Sequence, residues 1–194
     1  RHSETDPGSI GSDAVLSLYQ DRDGVLCAGT WAGGLNRVEP RSGRFTRLLP
    51  PQGGSFANIF RIVDDGDGRL LLGTHASVLT YDVRANRFAP LPYPGMPTNI
   101  QALLKDRQGN LWLGSRTESL FRVWNGYTHQ VGVRQGLPEP LIWAVARDAT
   151  GHILLGSNSG VERIGAAGIE RLIDGRDLPN PVAYELATDR RGRL

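Results

Sequence analysis

The apolar positions of the chain fall in short segments of strand length, separated by polar turns that are rich in glycine. One combination recurs: an apolar segment, an Asp three residues before a Gly, and a second apolar segment, as in DRQGNLWLGS at 106–115. Similar stretches begin at Asp21, Asp65 and Asp148, and DRRGRL begins a further copy at 189. Short segments rich in β-branched residues predict strands, and no helical pattern interrupts them. The sequence therefore predicts an all-β fold built from internal repeats.

The repeat has a nearly constant length. The glycines that end the second apolar segments recur every 41 to 44 residues, at Gly29, Gly73, Gly114 and Gly156. The D-x-x-G turn is expected to join two antiparallel strands, because Asp accepts backbone N–H groups and Gly tolerates positive φ. A polar link follows each Gly-[Ser/Thr] pair and leads to a third strand, and a residue with positive φ precedes the fourth. These turn residues are predicted to be Gly43, Asn86, Gly126 and Gly168.

Four short antiparallel strands in about 42 residues are typical of a β-propeller blade. We predict a single propeller domain over 1–194 with about 4.5 blades. The predicted blades span 12–53, 54–96, 97–137 and 138–178, with a partial blade at 179–194. Because a ring of blades must close or leave an open edge strand, we expect these units to be part of a larger propeller. A four- or five-bladed ring completed by the N-terminal residues is the alternative.

Composition and charge narrow the classes of partner. The 194 residues carry a formal net charge of +2, and basic residues are interspersed with acidic ones. A nucleic-acid interface needs a clustered basic face, so we expect no nucleic-acid partner. No stretch approaches the roughly 18 consecutive apolar residues of a membrane span, and the opening RHSETDPGS does not have the pattern of a signal peptide. Membrane attachment is expected only through segments outside this sequence.

Residues that could carry chemistry are few. The single cysteine, Cys27, excludes an intramolecular disulfide. It occupies the same repeat position as Leu71, Trp112 and Leu154, so we expect a buried packing residue. The run DDGDG at 64–68 has too few regularly spaced carboxylates for a calcium loop, and the four histidines have no metal-ligand spacing. We expect no catalytic residue, no metal and no cofactor.

The motif D-x-x-G-x-L-W-x-G-[ST], followed by G-L-x-R, resembles the repeat of the two-component regulator propeller family. Its clearest copies are DRDGVLCAGTWAGGLNRVE (21–39) and DRQGNLWLGSRTESLFRV (106–123), although the Trp of the motif survives only at Trp112. The resemblance implies a seven-bladed propeller in the periplasmic sensor half of a signal-transduction protein. The other half of such a protein is a histidine kinase, a hybrid kinase or a GGDEF diguanylate cyclase. No motif of those output domains lies in this sequence, so the chain is expected to be a piece of the sensor half.

A ligand is expected at one rim of the propeller. If the first strand of each unit lines the axis, its start and the link after each Gly-[Ser/Thr] lie on the same rim, where polar and aromatic groups can converge. The candidates from the first strands are Asn58, Arg61, Asn99, Trp143 and Tyr184, and those from the links are Trp31, His75, Arg116 and Asn158. We predict a non-catalytic sensory module that binds a partner protein or a small molecule. A saccharide would suit aromatic faces surrounded by Asn and Arg donors.

Two other functions stay open at this point. A propeller enzyme resembling streptogramin lyases or lactonases would need acids or histidines clustered on the rim, and the repeat positions supply few. A pure interaction scaffold would bind another protein, or a second copy of the chain through the open propeller edge, and would need no small ligand.

Overall fold

In the part of the chain that the structure describes, sixteen strands are arranged in four sheets that follow one another in sequence. The computed structural model describes residues 1–21, 23–138, 140–165, 167–187, 189 and 194. In every sheet the four strands are antiparallel and lie in sequence order, so each sheet is a simple meander. These meanders are the four-stranded propeller blades that the repeat predicts. The strands form two compact units, Arg1–Pro92 and Tyr93–Leu194, with two blades in each. The prediction of one domain over 1–194 stays a prediction.

The first unit contains blades 1 and 2. Blade 1 consists of β1 (Val15–Gln20), β2 (Leu26–Thr30), β3 (Leu35–Val38) and β4 (Phe45–Leu48). Blade 2 consists of β5 (Ile59–Gly66), β6 (Arg69–Thr74), β7 (Val78–Asp82) and β8 (Arg87–Pro90). A 3-10 turn at Gly54–Ala57 precedes blade 2. Both sets of strands lie within the bounds expected from the repeat.

The second unit contains blades 3 and 4. Blade 3 consists of β9 (Ile100–Lys105), β10 (Leu111–Ser115), β11 (Ser119–Trp124) and β12 (Tyr127–Val131). Blade 4 consists of β13 (Ile142–Arg147), β14 (Ile153–Ser157), β15 (Gly160–Gly165) and β16 (Gly168–Asp174). The remaining 3-10 turns are Val133–Gln135 and Gly175–Asp177. In the part of the chain that the structure describes, no helix has the length and apolar composition needed to cross a membrane.

The core of each unit lies between its two blades. In the first unit Cys27, Leu35, Ile59, Leu72 and Tyr81 form one buried cluster. Cys27 is only 3% exposed, which confirms the prediction that it is a packing residue. Burial raises the pKa of its thiol, and the neighbouring Arg37 opposes this effect in part.

The corresponding core of the second unit contains Trp112, Leu120, Leu137, Ile142 and Leu155. Its second strands, β10 and β14, are buried along their whole length, as their nearly uninterrupted apolar sequences predict. A strand without polar alternation must be covered on both faces. In both units, therefore, packing between blades stabilises the fold as well as pairing within them.

In blades 1 and 3, the glycine at the end of the second strand allows the next blade to approach closely. A Cβ added at Gly29 would lie 2.7 Å from the carbonyl oxygen of Ile59 on the next blade. A Cβ at Gly114 would lie 2.7 Å from Cγ2 of Ile142. Since real Cβ atoms keep more than 3 Å from such neighbours, this repeat position has no room for a side chain.

The Asp of the D-x-x-G motif organises the hairpin between the first two strands of blades 1, 3 and 4. Oδ1 of Asp148, for example, accepts hydrogen bonds from the backbone N–H groups of Thr150 and His152, each at 2.9 Å. Asp21 and Asp106 accept equivalent pairs of backbone bonds. The predicted turn chemistry is confirmed in these three blades.

Blade 2 corrects the prediction that Asp65 opens its turn. Strand β5 continues to Gly66, and the hairpin turns through Asp67 and Gly68, with φ values of 52° and 76°. The run DDGDG contains an Asp-Gly pair suited to a two-residue turn with two positive φ angles, and this alternative is the one adopted. Asp65 becomes an extra residue in β5 and pairs with Arg69 at 3.1 Å.

Replacing Asp148 with asparagine is expected to lower the free energy of unfolding at pH 7 by about 1–2 kcal/mol. Burial disfavours the charged carboxylate, but hydrogen bonds from Thr150 and His152 outweigh it and lower the pKa from 3.8 to about 2. The stabilisation is present above pH 3.8 and lost as the pH falls through about 2. Urea denaturation between pH 7 and pH 2 measures both the loss of stability and its dependence on pH.

Asp67→Asn, at an exposed hairpin tip, is the control and should change neither the stability at pH 7 nor its dependence on pH. An equal loss of stability in both variants would contradict the prediction.

The two ends of the chain lie against the first and last blades. Gly8 accepts the backbone N–H of Phe45 at 2.8 Å, and Gly11 donates to Oδ1 of Asn36 at 2.7 Å. At the other end, the backbone N–H of Ala183 donates to the carbonyl of Ser157 at 2.9 Å, but 182–187 forms no paired strand. Four of the residues of DRRGRL, 190–193, lie outside the described residues, so the partial fifth blade stays a prediction.

Candidate ligand-binding rim

A β-bulge near the start of each first strand turns one side chain out of the regular ladder. In blade 2, Ile59 pairs with Thr74 and Arg61 with Gly73, which leaves Phe60 as the extra residue. The residues in the same place in the other blades are Leu16, Gln101 and Trp143. Because a bulge re-aims the side chain that it inserts, the repeat provides one projecting residue per blade at this edge.

The Ser or Thr after each second-strand glycine fixes the adjacent link. Oγ1 of Thr74 donates to the carbonyl of Ser77 at 2.7 Å and accepts the backbone N–H groups of Ala76 and Ser77. Ser115 and Ser157 accept equivalent link N–H groups through Oγ. These hydroxyl side chains belong to fully buried residues, so the residue that follows each one is held at the surface in a defined place.

The link and the start of the first strand lie at the same end of each blade. The backbone N–H of His75 donates to the carbonyl of Asn58 at 3.2 Å, and that of Arg116 donates to Asn99 at 3.1 Å. The predicted convergence of these two segments is therefore present in each unit. We call this end of the blades the rim.

In the first unit, three aromatic side chains meet at the rim. The ring centroids of Trp31 and Phe60 are 6.0 Å apart, and both rings lie near His75, at 6.4 Å and 6.2 Å. Such spacing is typical of interacting aromatic side chains. Trp31 is 47% exposed although it is large and apolar. This group, Trp31, Phe60 and His75, is the first-unit cluster.

Asn58 supports the first-unit cluster from behind. Its Oδ1 accepts the backbone N–H of Ala32 at 2.7 Å, and Ala32 has a positive φ of 59°. The side chain of a blade 2 residue therefore holds the link that carries Trp31. Arg61 lies one position beyond the bulge, where it rejoins the ladder opposite Gly73, and its role as a site residue stays a prediction.

In the second unit, the rim carries a cluster of aromatic and polar groups. The Trp143 and Tyr184 rings meet edge to face at 5.2 Å, and the Arg116 guanidinium lies 5.0 Å from the Trp143 ring. Nε1 of Trp143 donates to Oδ1 of Asn158 at 2.7 Å. Tyr184 is 55% exposed. These four residues, Arg116, Trp143, Asn158 and Tyr184, are the second-unit cluster.

Eight of the nine predicted candidates, all except Arg61, divide into two kinds. Six of them belong to the two clusters: Trp31, His75, Arg116, Trp143, Asn158 and Tyr184. Asn58 and Asn99 have local structural contacts instead, since Oδ1 of Asn99 accepts a hydrogen bond from Gln101 at 2.8 Å. Sequence reasoning missed Phe60, which shares its repeat position with Trp143 and Tyr184, and that shared position was the available signal.

With the four blades and their repeat positions described, the chain can be compared with a family model. Residues 94–117 match the model of the two component regulator propeller. This stretch is similar to a two-component regulator propeller repeat. This segment leads into and includes the first two strands of blade 3, among them the D-x-x-G hairpin and the Gly-Ser pair. Comparison of the sequence with curated proteins finds no match.

Solved structures share the fold. The extracellular domain of BT3049, described as a hybrid two-component system of B. thetaiotaomicron, superimposes with a TM-score of 0.74 and 17% identity, over 88% of this chain and 24% of that one. The extracellular domain of BT4673, from the same organism and described as a one-component system, superimposes with a TM-score of 0.74 and 23% identity, over 90% of this chain and 24% of that one. This chain thus spans about a quarter of these two chains. Virginiamycin B lyase from Staphylococcus aureus superimposes with a TM-score of 0.62 and 14% identity, over 84% of this chain and 57% of that one.

Proposed function

We propose that this chain is a ligand-sensing propeller segment of a bacterial signal-transduction protein, located outside the cytoplasm. The observation that carries the proposal is the rim. Two repeat positions, the bulge and the link, supply the clusters of both units, and the exposed aromatic groups there have no packing role in the core. The family repeat and the extracellular domains with the same fold support a sensory role.

A saccharide is the proposed ligand of the rim. Trp31 and Tyr184 expose about half of their surface, and aromatic faces of this kind stack on the apolar faces of sugar rings. Arg116 and Asn158 stand beside the second aromatic pair and offer polar partners for hydroxyl groups. Binding sites that combine apolar surface with a few placed polar groups are typical of small-molecule recognition.

The signal is proposed to reach a kinase or a diguanylate cyclase on the same parent protein, in the periplasm. The chain would then form part of a larger, seven-bladed propeller. The first blade supports this view, because Val15 and Leu18 of β1 are 45% and 64% exposed. The residues at the same repeat positions in blade 2, Ile59 and Ile62, are buried against blade 1. A further blade is the proposed cover for β1.

A thermal-shift screen with mono- and oligosaccharides tests the rim. A ligand at 100 times its Kd stabilises the folded state by about 2.7 kcal/mol, which should appear as a rise in Tm of several degrees. Phe60→Ala and Trp143→Ala should each reduce the shift produced by a stabilising sugar. Trp124→Leu, which removes an exposed tryptophan outside both clusters, is the matched control and should retain the shift.

Two results would contradict the proposal. If no saccharide in the screen stabilises the chain, the proposed ligand class is wrong. If a sugar stabilises the rim variants as much as the parent chain, the sugar binds elsewhere.

The lyase with the same fold makes catalytic turnover a second candidate function. It would be favoured if a sugar or lactone were consumed during incubation and Trp143→Ala abolished that consumption.

A further inference from the structure

A second surface feature lies in the second unit, at the end of the blades opposite to the rim. It is a cleft of about 560 Å³ between the strands of blade 3 and the D-x-x-G hairpin of blade 4. Its blade 3 wall includes Trp112, Arg122 and Trp124, and its blade 4 wall includes His152 and Ile164. None of these residues belongs to the rim clusters.

Arg122 lies between two tryptophans on the blade 3 wall. Its guanidinium carbon is 5.3 Å from the Trp112 ring and 5.7 Å from the Trp124 ring, within the range of cation–π contacts. Trp112 is 7% exposed, and its Nε1 donates to Oδ2 of Asp106 at 3.0 Å. Trp124 is 51% exposed. The guanidinium therefore contacts the ring of Trp112, which is fixed, and the ring of Trp124, which is open to solvent.

The guanidinium of Arg122 is not satisfied by the protein residues around it. Within the described ranges no hydrogen bond or ion pair reaches it, and its Nε is buried without a partner. The nearest acid on the cleft wall, Asp106, already accepts bonds from Gln108, Asn110 and Trp112. A donor without a partner is unfavourable, and because this side chain is only half-buried, a ligand acceptor in the cleft could bond to the other guanidinium N–H groups.

The other blades show that this repeat position does not require a free arginine. In blade 1, Arg37 lies close enough to the side chains of Cys27 and Tyr81 to oppose the rise in their pKa values. In blade 4, Nε of Arg163 donates to Oε1 of Glu170 at 2.7 Å. In blade 2 the residue is Thr80, which donates to the carbonyl of Ala89. Arg122 therefore differs from Arg163 and Thr80, whose polar side-chain atoms bond within their own blades.

We propose that this cleft binds a small ligand that carries a carboxylate on a flat apolar body. A guanidinium presents a planar fork of N–H donors that matches the two oxygens of a carboxylate. The exposed face of Trp124 offers a stacking surface for the apolar body, and the carboxylate of Asp106 is occupied. The site is independent of the rim, and its ligand differs in class from a neutral saccharide.

Isothermal titration calorimetry with 1-naphthoate tests the cleft, with 1-naphthamide as the uncharged analogue and inorganic phosphate as a simple anion. Naphthoate should bind with one site per chain, at least tenfold more tightly than the amide or phosphate. Arg122→Thr should weaken naphthoate binding at least tenfold. This variant carries the residue that blade 2 has at the same position, so the fold accommodates it. Arg163→Thr is the matched control and should leave binding unchanged.

A second variant keeps the proposal testable if Arg122→Thr loses stability. Trp124 is exposed at the edge of the cleft, so Trp124→Leu should fold normally and still reduce naphthoate binding severalfold. Trp143→Ala, on the rim, should bind naphthoate as the parent chain does. The proposals for the rim and for the cleft can therefore be refuted independently of each other. The proposal is overturned if naphthoate does not bind at millimolar concentration, if the amide binds equally well, or if both cleft variants retain full affinity. The arginine would then have only a structural role in the stack.

Discussion

Replacing Ile142 with alanine is expected to lower the free energy of unfolding by about 3 kcal/mol. Ile142 is fully buried, and its Cγ2 would be 2.7 Å from a Cβ on Gly114 of the preceding blade. Truncation leaves a cavity at the centre of the second-unit core, which cannot collapse because Gly114 has no side chain to fill it. Urea denaturation of both proteins at pH 7 measures the difference.

The same repeat position supplies the control. Val15 is the blade 1 counterpart of Ile142, but it is 45% exposed. Val15→Ala should therefore cost less than about 0.5 kcal/mol, as surface substitutions do. Similar losses in the two variants would mean that packing between neighbouring blades does not stabilise the second unit.

A methyl group at Gly29 is expected to destabilise the first unit by about 2–3 kcal/mol. The Cβ of alanine would lie 2.7 Å from the carbonyl oxygen of Ile59, a backbone atom that cannot move without shifting blade 2. Thermal and urea unfolding of Gly29→Ala both measure the loss. Gly132→Ala is the matched control, since its nearest neighbours lie at 3.8 Å and its φ of −127° suits alanine. The prediction is wrong if Gly29→Ala unfolds at the same urea concentration as Gly132→Ala.

The blades themselves were predictable because the repeat encodes them several times. Gly43, Asn86, Gly126 and Gly168 all have positive φ, as their place between two strands requires. Burial of Cys27 followed from the apolar residues at its repeat position. Four copies of the same pattern average out the local ambiguity that makes a single short strand difficult to assign.

The details of the rim were less predictable, because they depend on register. The bulge that projects Phe60 adds one residue to the ladder without any glycine or proline to mark it. Where DDGDG offered two registers, the turn formed at Asp67 and Gly68, and the choice depends on pairing with β6. The state of Arg122 was also hidden, since its counterpart Arg163 finds its partner Glu170 only in three dimensions.

The bulge separates what a blade needs for folding from what it presents at the rim. Leu16, Phe60, Gln101 and Trp143 differ widely in chemistry, yet the ladder resumes in register after each of them. A substitution at this place can alter the surface of one blade while its neighbours stay intact. Duplication of a unit would likewise add a new variable position together with the framework that holds it. Descendants of such a chain could therefore acquire a new surface at the rim through single changes that selection for stability would tolerate.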